Sequence, residues 1–441
     1  MNMTAETMIQ IHRHGEWIDA AKLVQLGPGR CRLEYEQAYI FSSAPWPLSL
    51  NLPVQFNDMS FTQPTGGALD APQFDLPPFL FDLVPQGRGR HLLARELHLA
   101  DVEGVELPLL MAGAFNPIGC LRLSSALGFY QGYVDRHTGG RDWSVGVEMT
   151  EIVSHSEAFL EQLSLHALLA SGTTGAQGAA PKFLLSRDRS GLWYPDMALD
   201  DDLAAEHWLL KLPRGRKDED RLVLRNEAAY LRVAKACGIR VHAEPELLNE
   251  MLFVRRFDRQ VDEHGQLHRL HQESLASLAQ LKGFAPATSH NELLDALRRH
   301  VHEPLTEAIE YLQRDALNQA LRNTDNHARN TAVQRLIDGR VQLTPLFDFA
   351  PMYKDPEMIP RAVHWLDPNG RRVDDWPAIL HAIDWDSGEH DLVARAMHDF
   401  AATVADLPET MRDVGVEAAV IEDCRGAIDR VAKSLGRLLP G

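Results

Sequence analysis

The sequence has little cysteine, no long apolar run and too few basic residues to balance its acidic ones. Its four cysteines, Cys31, Cys120, Cys237 and Cys424, lie far apart and form no C-x-x-C pair. This spacing excludes a disulfide framework and a cysteine zinc site, and it favours a reducing compartment. There is neither an apolar secretion signal after a basic start nor an apolar run long enough to span a bilayer. We therefore expect a soluble, cytoplasmic protein with no membrane contact.

The shortage of basic residues limits what the surface can bind. The chain has 44 Lys and Arg against 62 Asp and Glu, a net charge of -18. A surface this acidic does not bind nucleic acid nonspecifically, because attraction to phosphates needs clustered positive charge. Any contact with DNA should come through a local basic patch or a partner. At 441 residues the chain is also too long for one ordinary core, which predicts two or three domains.

One polar stretch, residues 321–330 (LRNTDNHARN), carries the strongest chemical signal. Asp325 and Asn330 have the D-x-x-x-x-N spacing with which one loop supplies both a carboxylate and a Mg²⁺ ligand for phosphoryl transfer. The carboxylate orients the attacking hydroxyl and accepts its proton. Taken alone, such a run is also typical of an ordinary surface loop.

The segment after this loop predicts a hairpin that returns to it. Residues 331–337 and 341–347 have the composition of strands, and Asp338-Gly339 is a strong turn signal. Strands of similar length would bring Asp348 back beside Asn330. The Asp-Phe-Ala that begins at Asp348 resembles the metal-binding Asp-Phe-Gly of protein kinases. Loop and hairpin together favour the catalytic interpretation.

Two features of the middle region point to a phosphate site. The Gly- and Thr-rich run 171–182 precedes a predicted strand, and its backbone N–H groups can approach phosphate oxygens; a hairpin connection is the alternative. Lys211 lies inside the apolar strand 207–213, where a lysine is costly unless it is paired or functional. Glu227 is predicted in the first turn of a helix over 226–236. Its preferred role there is to stabilise the helix dipole with its negative charge, and pairing with Lys211 is the second possibility.

The remaining segments carry less chemistry. His12 and His14 alternate on a predicted N-terminal strand, and a solvated strand face is favoured there over a metal site. Nothing in the first 150 residues looks catalytic. The chain then leaves a sheet near Gln272 for a helix over 275–281, and beyond residue 291 it is predicted to be mostly helical.

In their order and spacing these segments resemble the HipA family of bacterial serine/threonine kinases, the toxin half of toxin–antitoxin pairs. The residues that carry the resemblance are Pro47–Pro53, Phe81–Gly87, Gly178–Lys182, Leu210–Pro213, Asn226-Glu227, Arg256–Arg259, Gln272-Glu273, Thr324–Asn330 and Asp348. The resemblance implies an α+β, two-lobed protein-kinase-like fold of the HipA type. It implies a small N-terminal α+β domain over 1–150, a sheet lobe with a phosphate loop over 151–271, and a largely helical lobe over 272–441.

The resemblance also implies roles for single residues, with ATP and Mg²⁺ as cofactors. Asp325 would be the catalytic base, and Asn330 and Asp348 the Mg²⁺ ligands. The nucleotide would be held by Gly178, Ala179, Ala180, Lys182, Lys211, His327 and an adenine hinge formed by Glu273, Ser274 and Leu275. The family has an autophosphorylation site just before the phosphate loop, where the candidates are Ser171, Thr173 and Thr174.

Family members act on aminoacyl-tRNA synthetases or other translation proteins, so the implied substrate is a protein of this kind. No helix-turn-helix is evident in the first thirty residues, so DNA contact would come through a separate small helix-turn-helix antitoxin. Two alternatives stay open. One is a kinase-shaped module that binds an antitoxin and represses DNA with little turnover. The other is a small-molecule phosphotransferase, although that class usually has histidine two residues before the aspartate, where this chain has Asn323.

Overall fold

Two antiparallel sheets and a helical lobe follow one another along the chain. The computed structural model of the protein describes residues 6–27, 30–54, 73–74, 76–102, 104–137, 145–154, 181–213, 215, 217–283 and 286–438. The first sheet comes from the N-terminal third, the second from the middle, and the helical lobe from the C-terminal third.

The N-terminal sheet has the strand order β4-β3-β2-β1-β5 and packs against helices. Its elements are β1 (Glu6–Arg13), β2 (Glu16–Gly27), β3 (Arg30–Tyr35), α1 (Gln37–Ile40), β4 (Gln73–Phe74), α2 (Gly87–Glu96), α3 (Glu106–Gly113), β5 (Leu121–Leu123) and α4 (Ser124–His137). Ile9 and Ile11 on β1 are fully buried on either side of partly exposed Gln10, the alternation of a sheet with one packed face. A 3₁₀ turn at Pro78–Asp82 buries Phe79 and Leu80 in the same core.

The solvated position predicted for His12 is wrong. Its ring is buried against Trp17, at 5.1 Å between ring centroids, and lies 3.9 Å from the Asp201 carboxylate. Burial, together with the charge of Arg269, lowers the pKa of His12 to about 3. His14 is exposed in the turn that follows β1.

The second sheet has the order β7-β6-β8-β10-β9. Its region comprises α5 (Met149–Val153), β6 (Lys182–Asp188), β7 (Trp193–Pro195), β8 (Ala204–Lys211), α6 (Asp218–Ala236), β9 (Glu246–Leu248) and β10 (Met251–Arg255). Helix α6 begins well before the predicted residue 226, with Asp218, Glu219 and Asp220 in its first turn, where negative charge is favourable. Glu227 therefore lies in the middle of the helix, and its predicted role at a helix end is wrong.

The helical lobe surrounds a small sheet and contains the largest apolar core of the described residues. A separate hairpin of β11 (Arg259–Val261) and β12 (Leu267–Arg269) precedes this lobe. The elements of the lobe are the strands β13 (His271–Ser274), β14 (Ala332–Arg335), β15 (Val341–Leu343), β16 (Trp365–Leu366) and β17 (Arg372–Val373), and the helices α7 (Leu275–Leu278), α8 (His290–His300), α9 (Pro304–Ala320), α10 (Trp376–His381), α11 (Glu389–Ala405), α12 (Leu407–Asp413) and α13 (Ala418–Leu435). In the part of the chain that the structure describes, no helix is both long and apolar enough to cross a membrane.

The predicted hairpin after the polar loop is present, with shorter strands than expected. β14 pairs with β15 through Val333 opposite Leu343, and Gly339 has the positive φ of 88° that the turn requires. On its other side β14 pairs with β13, with Ala332 opposite Ser274. This three-stranded sheet joins the predicted hinge to the segment between the two predicted metal ligands.

Candidate active site

A cavity of about 140 Å³ opens between the second sheet and the helical lobe. The sheet supplies Leu209 and Lys211, and the helical lobe supplies Ala332 and Asp348. Leu83 and Ile118 of the N-terminal domain also line it, and their contribution was not predicted from the sequence. Together the three parts of the molecule enclose a cleft with an apolar interior and charged groups at one end.

The charged end is built around Asp348. Lys182 on β6 stands directly opposite Lys211 on β8, so both side chains project from the same face of the sheet. Lys182 Nζ lies 3.3 Å from Asp348 Oδ2, and Lys211 Nζ also pairs with Asp348. Lys211 Nζ lies 2.5 Å from Glu227 Oε1. The structure thus shows the Lys211–Glu227 pairing that the sequence ranked second.

Electrostatics within this group favour the ionised lysine and aspartate. Burial acts to raise the pKa of Asp348, but the two ammonium groups outweigh it and hold that pKa below its usual range. Burial likewise acts to lower the pKa of Lys211, and the charges of Asp348 and Glu227 raise it instead. Burial lowers the pKa of Lys182, and the charge of Asp348 opposes this without cancelling it. The carboxylate of Asp348 therefore stays charged.

The loop after α9 holds Asp325, His327 and Asn330 in a tight turn. The Asn330 amide donates to the His327 carbonyl at 2.9 Å, and Asn330 Nδ2 donates to the Asp325 carbonyl at 2.9 Å. His327 Nε2 lies 3.5 Å from Asp325 Oδ1. All three residues and Asp348 line a second cavity of about 30 Å³, so the loop and the end of the hairpin meet as predicted from their spacing.

Asp325 has the electrostatic character of a proton acceptor. Burial raises its pKa, and the charge of Asp348 adds to this, whereas His327 opposes it. A carboxylate with a raised pKa is a stronger base than a solvated one. Asp348 itself has a φ of 49°, a left-handed conformation that is uncommon for residues other than glycine and is more accessible to aspartate than to most.

The oxygen atoms at the meeting point fit a magnesium ion. Asn330 Oδ1 is buried and has no hydrogen-bond partner among the described residues, and Asp348 supplies a charged carboxylate. Among the described residues no group of three or more His, Cys, Asp and Glu could hold a metal. Mg²⁺ commonly uses one or two protein oxygens together with substrate phosphates and water, so two ligands suffice.

The three predicted hinge residues differ in position. Glu273 and Ser274 line the larger cavity, whereas Leu275 is fully buried in the core of the helical lobe. The Leu275 amide donates to the Thr331 carbonyl at 2.9 Å. The Glu273 carboxylate accepts hydrogen bonds from the N-terminal domain, from Ser49 Oγ at 2.7 Å and the Leu50 amide at 2.9 Å.

Six predicted residues lie outside the described part of the chain. They are Gly178, Ala179, Ala180, Ser171, Thr173 and Thr174. Their roles at the phosphates and in autophosphorylation stay predictions, as do the domain boundaries.

Sequence reasoning missed Asp82 and Arg329. Asp82 lies in the N-terminal domain and Arg329 in the predicted catalytic loop, and they form an ion pair that lines the cavity. The available signal was a carboxylate directly after the apolar run Phe79–Phe81, which is costly to place there unless it is paired. Its partner is 247 residues away along the chain, so no local pattern indicates it.

Comparison with known proteins gives matches across most of the chain. A family model described as the HipA N-terminal domain matches residues 16–124, and one described as the HipA-like C-terminal domain matches residues 174–414. Y4mE of Sinorhizobium fredii (strain NBRC 101917 / NGR234), a protein named as an inferred kinase, is 30% identical over 148 residues. That match covers 31% of this chain and only 34% of the relative's length.

Solved structures show a shared fold. A chain of the Shewanella oneidensis MR-1 toxin–antitoxin complex of HipA, HipB and operator DNA matches with a TM-score of 0.62 and 16% identity, over 98% of each chain. This match confirms the predicted α+β fold. With the Helicobacter pylori proinflammatory kinase CtkA the TM-score is 0.34 at 15% identity, over 52% of this chain and 90% of that one, a likeness too low to carry an argument.

Proposed function

This chain belongs to the HipA family, and we propose that it is an ATP- and Mg²⁺-dependent serine/threonine protein kinase. One observation carries the proposal: Asp325, Asn330 and Asp348 line one cavity, and Asp348 is bound to the two lysines of the adjoining cleft. A proton acceptor, two oxygen ligands and two phosphate-binding cations are the parts that phosphoryl transfer requires.

Each group has a role in the proposed reaction. The apolar cleft would take the adenine beside Glu273 and Ser274, and Lys182 and Lys211 would bind the phosphates. Asp325 would orient a serine or threonine hydroxyl and accept its proton as the oxygen bonds to the γ-phosphorus and the bond to ADP breaks. Asn330 and Asp348 would hold Mg²⁺, which neutralises charge on the phosphates when bound.

Family membership supports further proposals about partners. The substrate would be a cytoplasmic translation protein such as an aminoacyl-tRNA synthetase, and its modification would make the chain a toxin. The related Shewanella chain is found in a complex with HipB and operator DNA. By analogy, this chain would bind a small helix-turn-helix antitoxin and contact DNA only through it. It would also phosphorylate itself at Ser171, Thr173 or Thr174.

The test is phosphate transfer by wild-type protein and Asp325→Asn from labelled ATP. We expect the substitution to lower the rate by about 10²- to 10⁴-fold, the range typical of a lost general base, while ATP binding measured by calorimetry is retained. Asp338→Asn, the same chemical change at an exposed carboxylate in the hairpin turn, is the matched control and should transfer phosphate normally.

Phosphoproteomics of cells that express wild-type protein or Asp325→Asn identifies the substrate. Phosphorylated serine or threonine found only with the wild type would support the proposal. Wild-type turnover by Asp325→Asn would remove this residue as the base. ATP binding without transfer to any protein would favour the antitoxin-binding module, and transfer to metabolites alone would favour the small-molecule phosphotransferase.

A further inference from the structure

Asp82 connects the N-terminal domain to two parts of the cleft at once. Its Oδ2 accepts a hydrogen bond from the Ser274 amide at 2.9 Å, and its Oδ1 accepts one from Ser274 Oγ at 2.7 Å. The same Oδ1 pairs with Arg329 Nη1. One carboxylate therefore holds both the end of β13 and the loop that carries Asp325.

Arg329 directly precedes the predicted metal ligand Asn330, and its side chain bonds to the hinge and to Gly283. Its Nη1 donates to Ser274 Oγ at 3.2 Å, and its Nε and Nη2 donate to the Gly283 carbonyl at 3.2 and 2.6 Å. The side chain is only 3% exposed. A planar guanidinium bound on both edges fixes the backbone that bears it more firmly than a lysine could. Because Asn330 is the next residue, the position of Arg329 also fixes that of Asn330.

The N-terminal end of this connection is itself rigid. Asp82 ends the 3₁₀ turn at Pro78–Asp82, where Phe79 and Leu80 are buried in the core of the N-terminal domain. At the other end Ser274 Oγ also accepts from the Ser277 amide at 3.1 Å, which caps α7. Asp82, Ser274 and Arg329 thus join the N-terminal domain, the hinge and the catalytic loop. The N-terminal domain and the hinge are each fixed by contacts of their own.

We propose that Asp82 is a positioning residue for the kinase reaction, acting from the N-terminal domain through Arg329 and Ser274 on the catalytic loop and the hinge. The inference rests on the proposed function and assigns to the N-terminal domain a part in catalysis. It predicts that loss of the Asp82 contact slows phosphate transfer because the catalytic loop and the hinge shift, although Asp325, Asn330 and Asp348 are all still present.

The variants are Asp82→Asn, the double variant Asp82→Asn/Arg329→Met, and Asn51→Ala as matched control. Asn51 also bonds the N-terminal domain to the helical lobe, through Leu278 O at 3.1 Å and His300 Nε2 at 3.1 Å, but touches neither the catalytic loop nor the hinge. The double variant removes both charges and leaves no unpaired buried charge, so it should fold even where a single variant is destabilised.

Three quantities are measured on the full chain. The first is the rate at which labelled phosphate is transferred from ATP to the chain itself or, by hydrolysis, to water. The second is ATP affinity by calorimetry, and the third is hydrogen exchange of the backbone amides of residues 321–331. For Asp82→Asn we expect kcat to fall by about 10²-fold, as for other small displacements of a catalytic group, and ATP affinity to fall by a smaller factor than kcat because Asp82 also holds Ser274 of the hinge. Exchange in 321–331 should quicken by about tenfold or more, the effect of losing one charge-assisted hydrogen bond.

The double variant distinguishes a positioning role of Asp82 from a role that only stabilises the contact between the N-terminal domain and the helical lobe. The proposal expects its thermal unfolding midpoint to return towards that of the wild type while kcat stays low. Recovery of both, or an equal loss of kcat in Asn51→Ala, would overturn it. If the wild type transfers no phosphate, the proposed kinase function fails, and hydrogen exchange alone then decides: unchanged exchange in Asp82→Asn would overturn the positioning role.

Discussion

Two buried groups of charges in this molecule have the same charge balance and different cations. The cleft cluster consists of Lys182, Lys211, Glu227 and Asp348, and the interdomain cluster of Asp196, Arg256, Asp258 and Arg259. Each has two cations and two carboxylates, and in each the side chains are largely inaccessible to water. The cleft cluster is built with lysine and the interdomain cluster with arginine.

The arginines fix their partners in place. Arg256 donates to Asp258 through one edge of its guanidinium, from Nε at 3.0 Å and Nη2 at 2.8 Å, and its Nη1 donates to Asp196 at 2.9 Å. Asp258 also accepts from the Gly119 amide of the N-terminal domain at 2.8 Å. Arg256 and Asp258 border the cavity as well. The planar guanidinium of Arg256 is bonded at several positions, so neither side chain can readily exchange its partner for a ligand.

Lysine gives the cleft cluster a different property. An ammonium group is a point charge on a flexible stem, so it can exchange a carboxylate for a phosphate without a fixed angle. Asp348, released from the lysines, would be available to a metal ion. We infer that buried ion pairs in one chain can serve opposite purposes. Arginine pairs would fix the domains in place, lysine pairs would leave the cleft able to bind phosphate, and the choice of cation indicates which purpose applies.

The largest expected effect comes from breaking the interdomain cluster. Asp258→Asn leaves Arg256 and Arg259 buried with too little negative charge, which should lower the free energy of unfolding by about 3–5 kcal/mol. Urea denaturation measures this, with Asp200→Asn at an exposed site as the control. A loss below about 1 kcal/mol would mean that this cluster does not hold the domains together, and the contrast with the cleft would fail.

Glu273 is a third buried carboxylate to compare with those of the two clusters, because its hydrogen-bond donors are neutral groups and not cations. They are the hydroxyls of Ser49 and Ser277 and the amide of Leu50. Burial, aided by the charge of Asp82, raises the pKa of Glu273 to about 7. The folded state therefore favours the protonated acid, so this stability is fully present below the ordinary pKa near 4.5 and is lost as the pH rises through 7.

We expect this loss to be on the order of 3 kcal/mol between pH 4.5 and 8, and Glu273→Gln to abolish it. Urea denaturation of both proteins across this range measures it, with exposed Glu263→Gln as the control. His271, whose pKa burial lowers to about 3, gives an opposite trend below pH 6.5 that is common to both proteins. Parallel pH profiles for wild type and Glu273→Gln would show that folding does not raise the pKa of Glu273.

Local patterns predicted the parts of the site that local structure builds. The return of Asp348 towards Asn330 follows from the turn at Asp338-Gly339 and from strands that begin and end close to it. The loop 325–330 closes on itself through its own hydrogen bonds. Spacing along the chain was therefore enough to find these residues.

Of the two predictions that failed, one missed a local signal and the other depends on contacts between distant segments. Helix α6 begins at Asp218 because Asp220 accepts from the Lys217 amide at 3.2 Å, a start signal hidden in a run of charges. The burial of His12 depends on packing against Trp17 and the approach of Asp201 from another domain. Periodicity reports which face of a strand is apolar, but it cannot report which distant segment will cover the other face.

The smallest of the predicted effects tests the choice of cation itself. Lys211→Arg keeps the charge opposite Glu227 and Asp348 but replaces a point charge with a planar fork, and the adjoining cavity leaves room for it. We expect phosphate transfer to fall by about 10²-fold, as when one donor to a developing charge is lost, with the free energy of unfolding changed by less than about 1.5 kcal/mol. The reciprocal change, Arg256→Lys, is the matched control and should cost about 1.5–3 kcal/mol of stability through its lost fork. Wild-type turnover by Lys211→Arg would show that the lysine is needed only for its charge, and the two clusters would then differ in position alone.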